Sequence, residues 1–179
     1  MKDDIDYILF SETQIQERVA EMGKAITAKY AGTEPVFVGI LKGSFVFMAD
    51  LMRKVDLECS IDFMAVSSYG NRSVTTGAVK INKDLSEDIE GKHLIIVEDI
   101  LDSGVTLSYL LKYLKNRNPA SIAIYTLLDK PERRKKEVKT ELAGFVIPDA
   151  FVVGYGLDYA EKYRNLPYIG VLKPEIYNN

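Results

Sequence analysis

Residues 94–114, LIIVEDILDSGVTLSYLLKYL, contain the pattern on which the predicted fold depends. The opening run LIIV is apolar and mostly β-branched, which indicates a strand buried on both faces, as in a parallel sheet. Further on, an amphipathic helix is predicted by four leucines at the spacing of one helix face: Leu107, Leu110, Leu111 and Leu114. A short polar turn at residues 102–106 therefore joins a buried strand to a helix.

The joining turn, Asp102-Ser103-Gly104-Val105-Thr106, has the properties of a phosphate-binding site and is called the phosphate turn below. A glycine-containing turn that opens a helix presents unpaired backbone N–H groups and the positive end of the helix dipole. The hydroxyl groups of Ser103 and Thr106 add further donors. Together, these features favour an anionic ligand.

Three carboxylates lie in or beside this turn: Glu98, Asp99 and Asp102. They would repel a phosphate unless they face sugar hydroxyls, a divalent cation or a proton that is to be removed. Phosphorylated ribose bound with Mg²⁺ satisfies both the turn and the acids. The alternative is a purely structural strand that ends in a solvated acidic turn, with Asp102 as the cap of the helix.

Three more strands are predicted, at residues 36–41, 57–68 and 121–128. The first ends in Lys42-Gly43 before a helix that begins at Phe45, and the last runs into Lys130. Ligands bind at the carboxyl ends of strands in open α/β sheets, so Lys42, Gly43 and Lys130 are candidates for the same site. The alternation of strands and helices predicts an α/β fold with a central, mostly parallel sheet covered by helices on both faces.

The chain has 179 residues, which is enough for a single domain, residues 1–179, with a full core. Its net charge of −3 argues against nucleic acid as a partner. The lone cysteine, Cys59, excludes an internal disulfide and suits a reducing cytosol. No apolar run approaches the ~20 residues of a membrane span, and the N-terminal residues lack a signal-peptide pattern. We therefore expect a cytoplasmic protein without a membrane partner.

The segment from Ser68 to Lys83 is rich in Gly, Ser, Thr and Asn and has few apolar residues. A long polar segment inside a compact chain is often a lid, so we predict that residues 68–83 close over the ligand. The alternative is a loose hairpin without a function. The first residues of the chain and the region after residue 145 are expected to form a small second lobe over the ligand, called the hood below.

The order of residues at 94–106, four apolar residues, Glu-Asp, two apolar residues and Asp-Ser-Gly-x-Thr, resembles the phosphoribosyl-pyrophosphate signature of the type I phosphoribosyltransferases. The resemblance covers nearly the whole chain and points to the hypoxanthine-guanine branch in its short bacterial form. Four further stretches carry it: residues 41–44, 68–70, 128–131 and 151–159. It implies the type I phosphoribosyltransferase fold, with a hood formed by the N- and C-terminal segments.

By this resemblance, the chain is expected to catalyse a Mg²⁺-dependent step of purine salvage. Hypoxanthine or guanine reacts with 5-phosphoribosyl-1-pyrophosphate to give IMP or GMP and pyrophosphate. Asp102 is then the general base for purine N7, and Glu98 and Asp99 face the ribose hydroxyls and the Mg²⁺. The 5′-phosphate is assigned to the phosphate turn, with contacts from Asp102, Ser103, Gly104, Val105 and Thr106.

The same resemblance assigns the purine and pyrophosphate contacts. Lys130 donates to the 6-oxo group, Phe151 stacks on the ring, and the backbone of Val152 reads the purine edge. Asp158 offers a carbonyl to the 2-position and a carboxylate to a second metal ion. The pyrophosphate is assigned to Lys42, Gly43 and Arg164, with Arg134 as a further candidate, and the lid is headed by Ser68 and Tyr69.

The resemblance also implies a cis peptide bond at Leu41–Lys42, because the Lys-Gly loop of the family carries a non-proline cis bond. It leaves two alternatives open: an enzyme that prefers xanthine, and a regulatory protein of the same fold that binds RNA or DNA under nucleotide control. The three acids with Lys130 and Phe151 favour catalysis, and the acidic net charge disfavours RNA binding. A homodimer or homotetramer is expected.

Overall fold

The computed structural model describes residues 1–68 and 79–178. In chain order, the strands are β1 (Ile5–Phe10), β2 (Val36–Leu41), β3 (Ser60–Ser68), β4 (Val79–Lys83), β5 (His93–Leu101), β6 (Ser121–Asp129), β7 (Leu142–Val146), β8 (Val152–Val153) and β9 (Ile169–Leu172). The helices are α1 (Glu12–Lys29), α2 (Phe45–Met52), α3 (Val105–Lys115) and α4 (Pro174–Tyr177). Short 3₁₀ turns lie at Lys2–Asp4 and Pro131–Arg133.

The larger sheet has six strands in the order β4-β3-β2-β5-β6-β7, and all neighbours are parallel except β3 and β4. Alternate residues of the central strands enter opposite cores. Phe37 and Ile95 pack with residues of α1 and α2, whereas Val38 and Ile96 pack with the leucines of α3. Helices therefore cover both faces, which confirms the predicted fold class.

Ser11 and Gln14, three residues apart, have the sequence pattern of a capping box, which predicts the start of a helix, and the first helix begins there. Ser11 accepts a hydrogen bond from the N–H of Gln14 at 3.3 Å, and Gln14 Oε1 accepts one from the N–H of Ser11 at 2.9 Å. This reciprocal pair is a capping box. The apolar face of α1 is fully buried through Ile15, Val19, Met22 and Ile26, so α1 is a packing helix.

Two strands differ from their predicted bounds by more than one residue. The strand predicted to begin at residue 57 begins at Ser60. The run predicted at 94–97 continues to Leu101, because backbone pairing with β6 extends through Glu98↔Thr126 to Leu101↔Asp129. Backbone hydrogen bonds do not depend on side-chain polarity, so the ladder continues past the apolar run. Glu98 and Asp99 consequently lie on a strand and not in a turn.

The hood is the second, three-stranded sheet, β1-β9-β8, which is antiparallel and joins the two ends of the chain as expected. Part of the predicted lid is strand, because β4 pairs antiparallel with β3. The remaining lid residues, 69–78, lie outside the described residues. The Leu41–Lys42 peptide bond is cis, as expected. No helix in the described part of the chain is long and apolar enough to cross a bilayer.

Candidate active site

The carboxyl ends of β2 and β5 lie side by side because these strands pair directly, with Gly39 opposite Val97. The Lys42-Gly43 turn after β2 therefore meets the acids of β5. A Cβ atom placed on Gly43 would lie 1.6 Å from Oδ2 of Asp99, so only glycine fits at this position. The structure thus brings together a turn and an acid that are separated by more than fifty residues in the sequence.

The phosphate turn lies at the same sheet edge and opens α3. Gly104 is the N-cap residue and has a φ of 76°, which favours glycine. The carbonyl of Ser103 accepts hydrogen bonds from the N–H groups of Lys135 and Lys136, at 2.9 and 3.0 Å. One cleft is lined by Glu98 together with residues of the phosphate turn. The predicted phosphate site and the predicted ribose site are therefore continuous.

Glu98 and Asp99 are carboxylates in a shielded position. Oε2 of Glu98 is shielded from solvent and has no hydrogen-bond partner among the described residues. Burial raises the pKa of Glu98 well above its usual value, and the charge of Asp99 adds to the effect. Burial also raises the pKa of Asp99 to about 6, although backbone N–H groups and the charge of Arg164 oppose the shift. Both groups favour a cation that would neutralise them.

Asp102 is more open, with a side chain that is 43% exposed. Its Oδ1 lies 3.4 Å from Nε of Arg133, and the same arginine lies 3.4 Å from Oδ1 of Asp149. Lys130 is buried, and its Nζ donates to the carbonyl of Ala150 at 2.8 Å. The side chain of Asp102 is therefore accessible to a ligand, while Lys130 is held by its hydrogen bond to Ala150.

The aromatic side of the site comes from the hood. Phe151 is 37% exposed, stacks on Tyr177 with 4.8 Å between ring centroids, and meets the edge of Tyr159 at 5.5 Å. Val152 is buried in β8. Phe151 thus keeps exposed ring surface while neighbouring aromatic rings fix its position.

The hood also supplies charge beside the Lys42-Gly43 turn. Arg164 Nη2 lies 2.9 Å from Oδ1 of Asp158, and its Nη1 donates to the carbonyl of Gly156 at 2.7 Å. Nζ of Lys42 lies 3.1 Å from Oε2 of Glu161. Residues assigned to the pyrophosphate therefore converge from β2 and from the hood.

A buried polar group attaches the hood to helices α1 and α2. The hydroxyl of Tyr155 donates to Oδ2 of Asp50 on α2 at 2.5 Å, and the amide of Gln16 on α1 donates to the same oxygen at 2.7 Å. Arg53 pairs with the other oxygen. Burial would raise the pKa of Asp50, but the hydrogen bonds from Tyr155 and Gln16 and the charge of Arg53 hold the pKa below its usual value.

Residues 10–160 match the family model described as the phosphoribosyl transferase domain. The chain belongs to the phosphoribosyl transferase family. It is 55% identical over 179 residues to the hypoxanthine-guanine phosphoribosyltransferase of Bacillus subtilis (strain 168), which covers 100% of this chain and 99% of that protein.

Two further relatives have names that agree with this family assignment. The hypoxanthine phosphoribosyltransferase of Escherichia coli (strain K12) is 56% identical over 165 residues, 91% of this chain and 93% of that protein. The crystal structure of a hypoxanthine phosphoribosyltransferase from Staphylococcus aureus superposes with a TM-score of 0.97 at 51% identity and covers 100% of this chain and 97% of that chain. The chain is therefore an enzyme of the hypoxanthine-guanine branch of the phosphoribosyltransferases.

Most predicted site residues of this phosphoribosyltransferase lie at one sheet edge. Arg134 differs in its surroundings from the other pyrophosphate candidates, because it pairs with Asp129 and lies against Gly104 of the phosphate turn. Tyr69 and the side chain of Ser68 lie outside the described residues.

Three charged residues join the site of the phosphoribosyltransferase without having been singled out in its sequence: Arg133, Asp149 and Glu161. Arg133 belongs to a basic run at 130–136, which is usually just a solvated face. In the sequence, the only indication that Glu161 belongs to the site is its position midway between two predicted site residues, Asp158 and Arg164.

Proposed function

We propose that the chain transfers the 5-phosphoribosyl group of 5-phosphoribosyl-1-pyrophosphate to hypoxanthine or guanine, within a single domain. The observation that carries the proposal is the shared cleft, in which Glu98 lines the same space as the phosphate turn. A ligand with a phosphate at one end and hydroxyl groups at the other matches both parts of that cleft. The names of the relatives support the purine as acceptor.

The donor is held by two separate regions in this proposal. The phosphate turn binds the 5′-phosphate through residues 103–106, and Glu98 and Asp99 accept hydrogen bonds from ribose hydroxyls. Lys42, Gly43 and Arg164 bind the pyrophosphate. Arg134, a further candidate for this anion, packs against Gly104 of the phosphate turn and pairs with Asp129. Ser68 and Tyr69 are assigned to the lid that excludes water during the reaction.

The purine is held between the hood and β6. Phe151 stacks on its ring, the backbone of Val152 and the carbonyl of Asp158 read its edge, and Lys130 donates to the 6-oxo group. Lys130 already donates to the carbonyl of Ala150, so its position is set before the purine binds. The amino group of adenine would place a second hydrogen-bond donor opposite the donor of this lysine, so the site favours oxopurines.

Glu98 and Asp99 suit Mg²⁺, because this ion is usually held by one or two carboxylates together with substrate oxygens. Asp158, which is paired with Arg164, is assigned to a second ion. When bound, the metal would neutralise negative charge on the pyrophosphate.

The reaction breaks the C1′–O bond, which leaves positive charge on the ribose and negative charge on the departing pyrophosphate. Donors from Lys42 and Arg164 stabilise the leaving group, since preorganised charges act where charge develops. Asp102 accepts the proton of purine N7 as the new bond to C1′ forms. Arg133, which lies 3.4 Å from Asp102, helps to keep this carboxyl oriented.

A spectrophotometric assay of hypoxanthine, guanine, xanthine and adenine with phosphoribosyl-pyrophosphate and Mg²⁺ tests the proposal. We expect turnover of hypoxanthine and guanine and rejection of adenine. Lys130→Ala should raise KM for hypoxanthine and weaken the rejection of adenine. Preferential turnover of xanthine, or no turnover together with salt-dependent RNA binding in a gel shift, would contradict the assignment.

The same proposal includes a cytoplasmic location and self-association into a homodimer or homotetramer, with no nucleic-acid partner. Two large apolar side chains support self-association: Phe45 on α2 is 44% exposed and Ile61 on β3 is 52% exposed. Sedimentation velocity at micromolar concentration tests this part. A monomer across the whole concentration range would contradict it.

A further inference from the structure

One carboxylate oxygen links the two cations assigned to the pyrophosphate. Oε2 of Glu161 lies 3.1 Å from Nζ of Lys42 and 3.3 Å from Nη2 of Arg164. Lys42 follows β2 and Arg164 belongs to the hood, so Glu161 connects the two regions that meet at this subsite. It is the only acid in the described part of the chain that pairs with Lys42.

The position of Glu161 is set by a tight turn. Its N–H donates to Oδ2 of Asp158 at 2.9 Å, and its φ of 63° lies in the left-handed region. Tyr159 and Lys162 exchange backbone hydrogen bonds of 3.2 and 3.0 Å across the same turn. The turn therefore directs Glu161 towards the two cations.

The contact of Glu161 is also easily broken. Its side chain is 63% exposed, so the carboxylate can turn into solvent without being desolvated. Hydrogen bonds from Lys42 and Arg164 lower the pKa of Glu161, so the group is ionised at neutral pH. Arg164 is only 19% exposed and keeps its bonds to Asp158 and Gly156 when Glu161 moves away.

We propose that Glu161 is an internal counter-anion of the pyrophosphate subsite, which pairs with Lys42 and Arg164 until pyrophosphate displaces it. The proposal rests on the assignment of these two cations under the proposed function. Nζ of Lys42 and Nη2 of Arg164 are already engaged by Glu161, so pyrophosphate competes with this carboxylate for the same donors. Glu161 therefore weakens the binding of the donor and of the product pyrophosphate, and favours release of the product.

Glu161→Gln tests the proposal, because it removes the charge and keeps the size of the side chain. Exposed ion pairs contribute up to ~1 kcal/mol each, so the inhibition constant of pyrophosphate should fall about 2–10-fold in the variant. KM for phosphoribosyl-pyrophosphate should fall with it, whereas KM for hypoxanthine should not change. The difference between the two proteins should shrink at high salt, since salt screens exposed charges.

Glu17→Gln on α1 is the matched control, because it removes the same charge at an exposed position on another element. It should leave the inhibition constant of pyrophosphate unchanged. A structural role for Glu161, in which it holds Lys42 in place, predicts the opposite sign. Weaker or unchanged pyrophosphate binding in Glu161→Gln would therefore overturn the proposal.

Lys42→Ala distinguishes this inference from the proposed function. If Lys42→Ala weakens pyrophosphate binding and Glu161→Gln does not strengthen it, only the counter-anion is wrong. If neither variant changes the binding, the pyrophosphate assignment fails as well. In the double variant, the gain from Glu161→Gln should be smaller than in the single variant, because one of its two pairs is already absent. An undiminished gain would overturn the role of Lys42 in the contact.

Discussion

Asp50 on α2 and Glu98 on β5 are both carboxylates withdrawn from solvent, yet their surroundings are opposite. Asp50 accepts hydrogen bonds from Tyr155 and Gln16 and pairs with Arg53. Glu98 has an oxygen without a partner among the described residues, and the charge that acts on its pKa is that of another acid, Asp99. Accordingly, the pKa of Asp50 is lowered and that of Glu98 is raised.

This difference distinguishes Asp50, an acid that stabilises the fold, from Glu98, an acid to which we assign a ligand. A buried carboxylate stabilises a protein only when donors or cations replace its lost hydration. Asp50 has such donors, and they attach the hood to α1 and α2. Within the described part of the chain, Glu98 has an oxygen without such a partner, and the N–H of Ile100 and the charge of Arg164 only partly offset the burial of Asp99. A metal ion and ribose hydroxyls are therefore the partners we propose for these two acids.

Asp102 is a third kind of acid, since it is half-exposed and lies beside an arginine. Asp102→Asn should lower kcat about 10²–10⁴-fold, because the amide cannot accept the proton of N7. KM for phosphoribosyl-pyrophosphate should change little. Single-turnover kinetics measure the chemical step directly.

Asp149→Asn is the control for Asp102→Asn, because Asp149 lies 3.4 Å from the same arginine. Asp149 also lies 3.6 Å from Nζ of Lys130, so this variant should affect KM for the purine and not the chemical step. It should leave kcat at saturating purine within a few-fold of the parent. Equal chemical rates in Asp102→Asn and the parent enzyme would remove Asp102 from the role of base.

The free energy of unfolding should change in opposite directions when the two buried acids are neutralised. At pH 7, Asp50→Asn should lower it by about 1–3 kcal/mol, because three partners lose their acceptor charge. Glu98→Gln should raise it in the absence of metal, since this removes a negative charge beside Asp99 with an oxygen that lacks a partner among the described residues. Urea unfolding with added chelator measures both changes.

The pH dependence of these two changes follows from the directions of the pKa shifts. The lowered pKa of Asp50 gives stability that is present above its unfolded pKa and is lost as pH falls through the folded value. The raised pKa of Glu98 costs stability as pH rises above the unfolded value. The increase in the free energy of unfolding that Glu98→Gln causes should therefore disappear in acid. Changes of the same sign in Asp50→Asn and Glu98→Gln would contradict the distinction between these two acids.

The two acids of β5, Glu98 and Asp99, should also set the requirement for metal. Asp99→Asn should raise the Mg²⁺ concentration for half-maximal activity at least ~10-fold, because even outer-shell groups of metal sites change affinity by that amount. Asp88→Asn, at an exposed position before β5, is the control and should leave this concentration unchanged. An unchanged Mg²⁺ requirement in Asp99→Asn would assign the metal to other groups.

The pKa of Asp99, about 6, predicts a further pH effect. Metal binding needs the ionised carboxylate, so affinity for Mg²⁺ with phosphoribosyl-pyrophosphate should rise about 10-fold between pH 5 and pH 7. The rise should flatten in Asp99→Asn. A parent enzyme with the same affinity at both pH values would show that Asp99 is not the titrating group.

The sequence anticipated the elements and the acids because both depend on local patterns. Four apolar residues and a leucine repeat predicted β5 and α3, and Ser11 with Gln14 predicted the start of α1. The candidate site residues also lie at or after the ends of predicted strands, or in the stretches that carry the family resemblance. Roles in chemistry remain predictions, because they depend on ligands.

The sequence by itself determined that a parallel sheet forms, that acids and a phosphate turn meet at its edge, and that the chain resembles phosphoribosyltransferases. Periodicity and strand–turn–helix order are sufficient for that, since they act over a few residues. Only the tertiary structure decided which acid has partners. Tyr155 reaches Asp50, Arg133 approaches Asp102 and Glu161 pairs with Lys42 across long stretches of sequence. Because ionisation depends on desolvation and on charges brought close in space, no local pattern distinguishes Asp50 from Glu98.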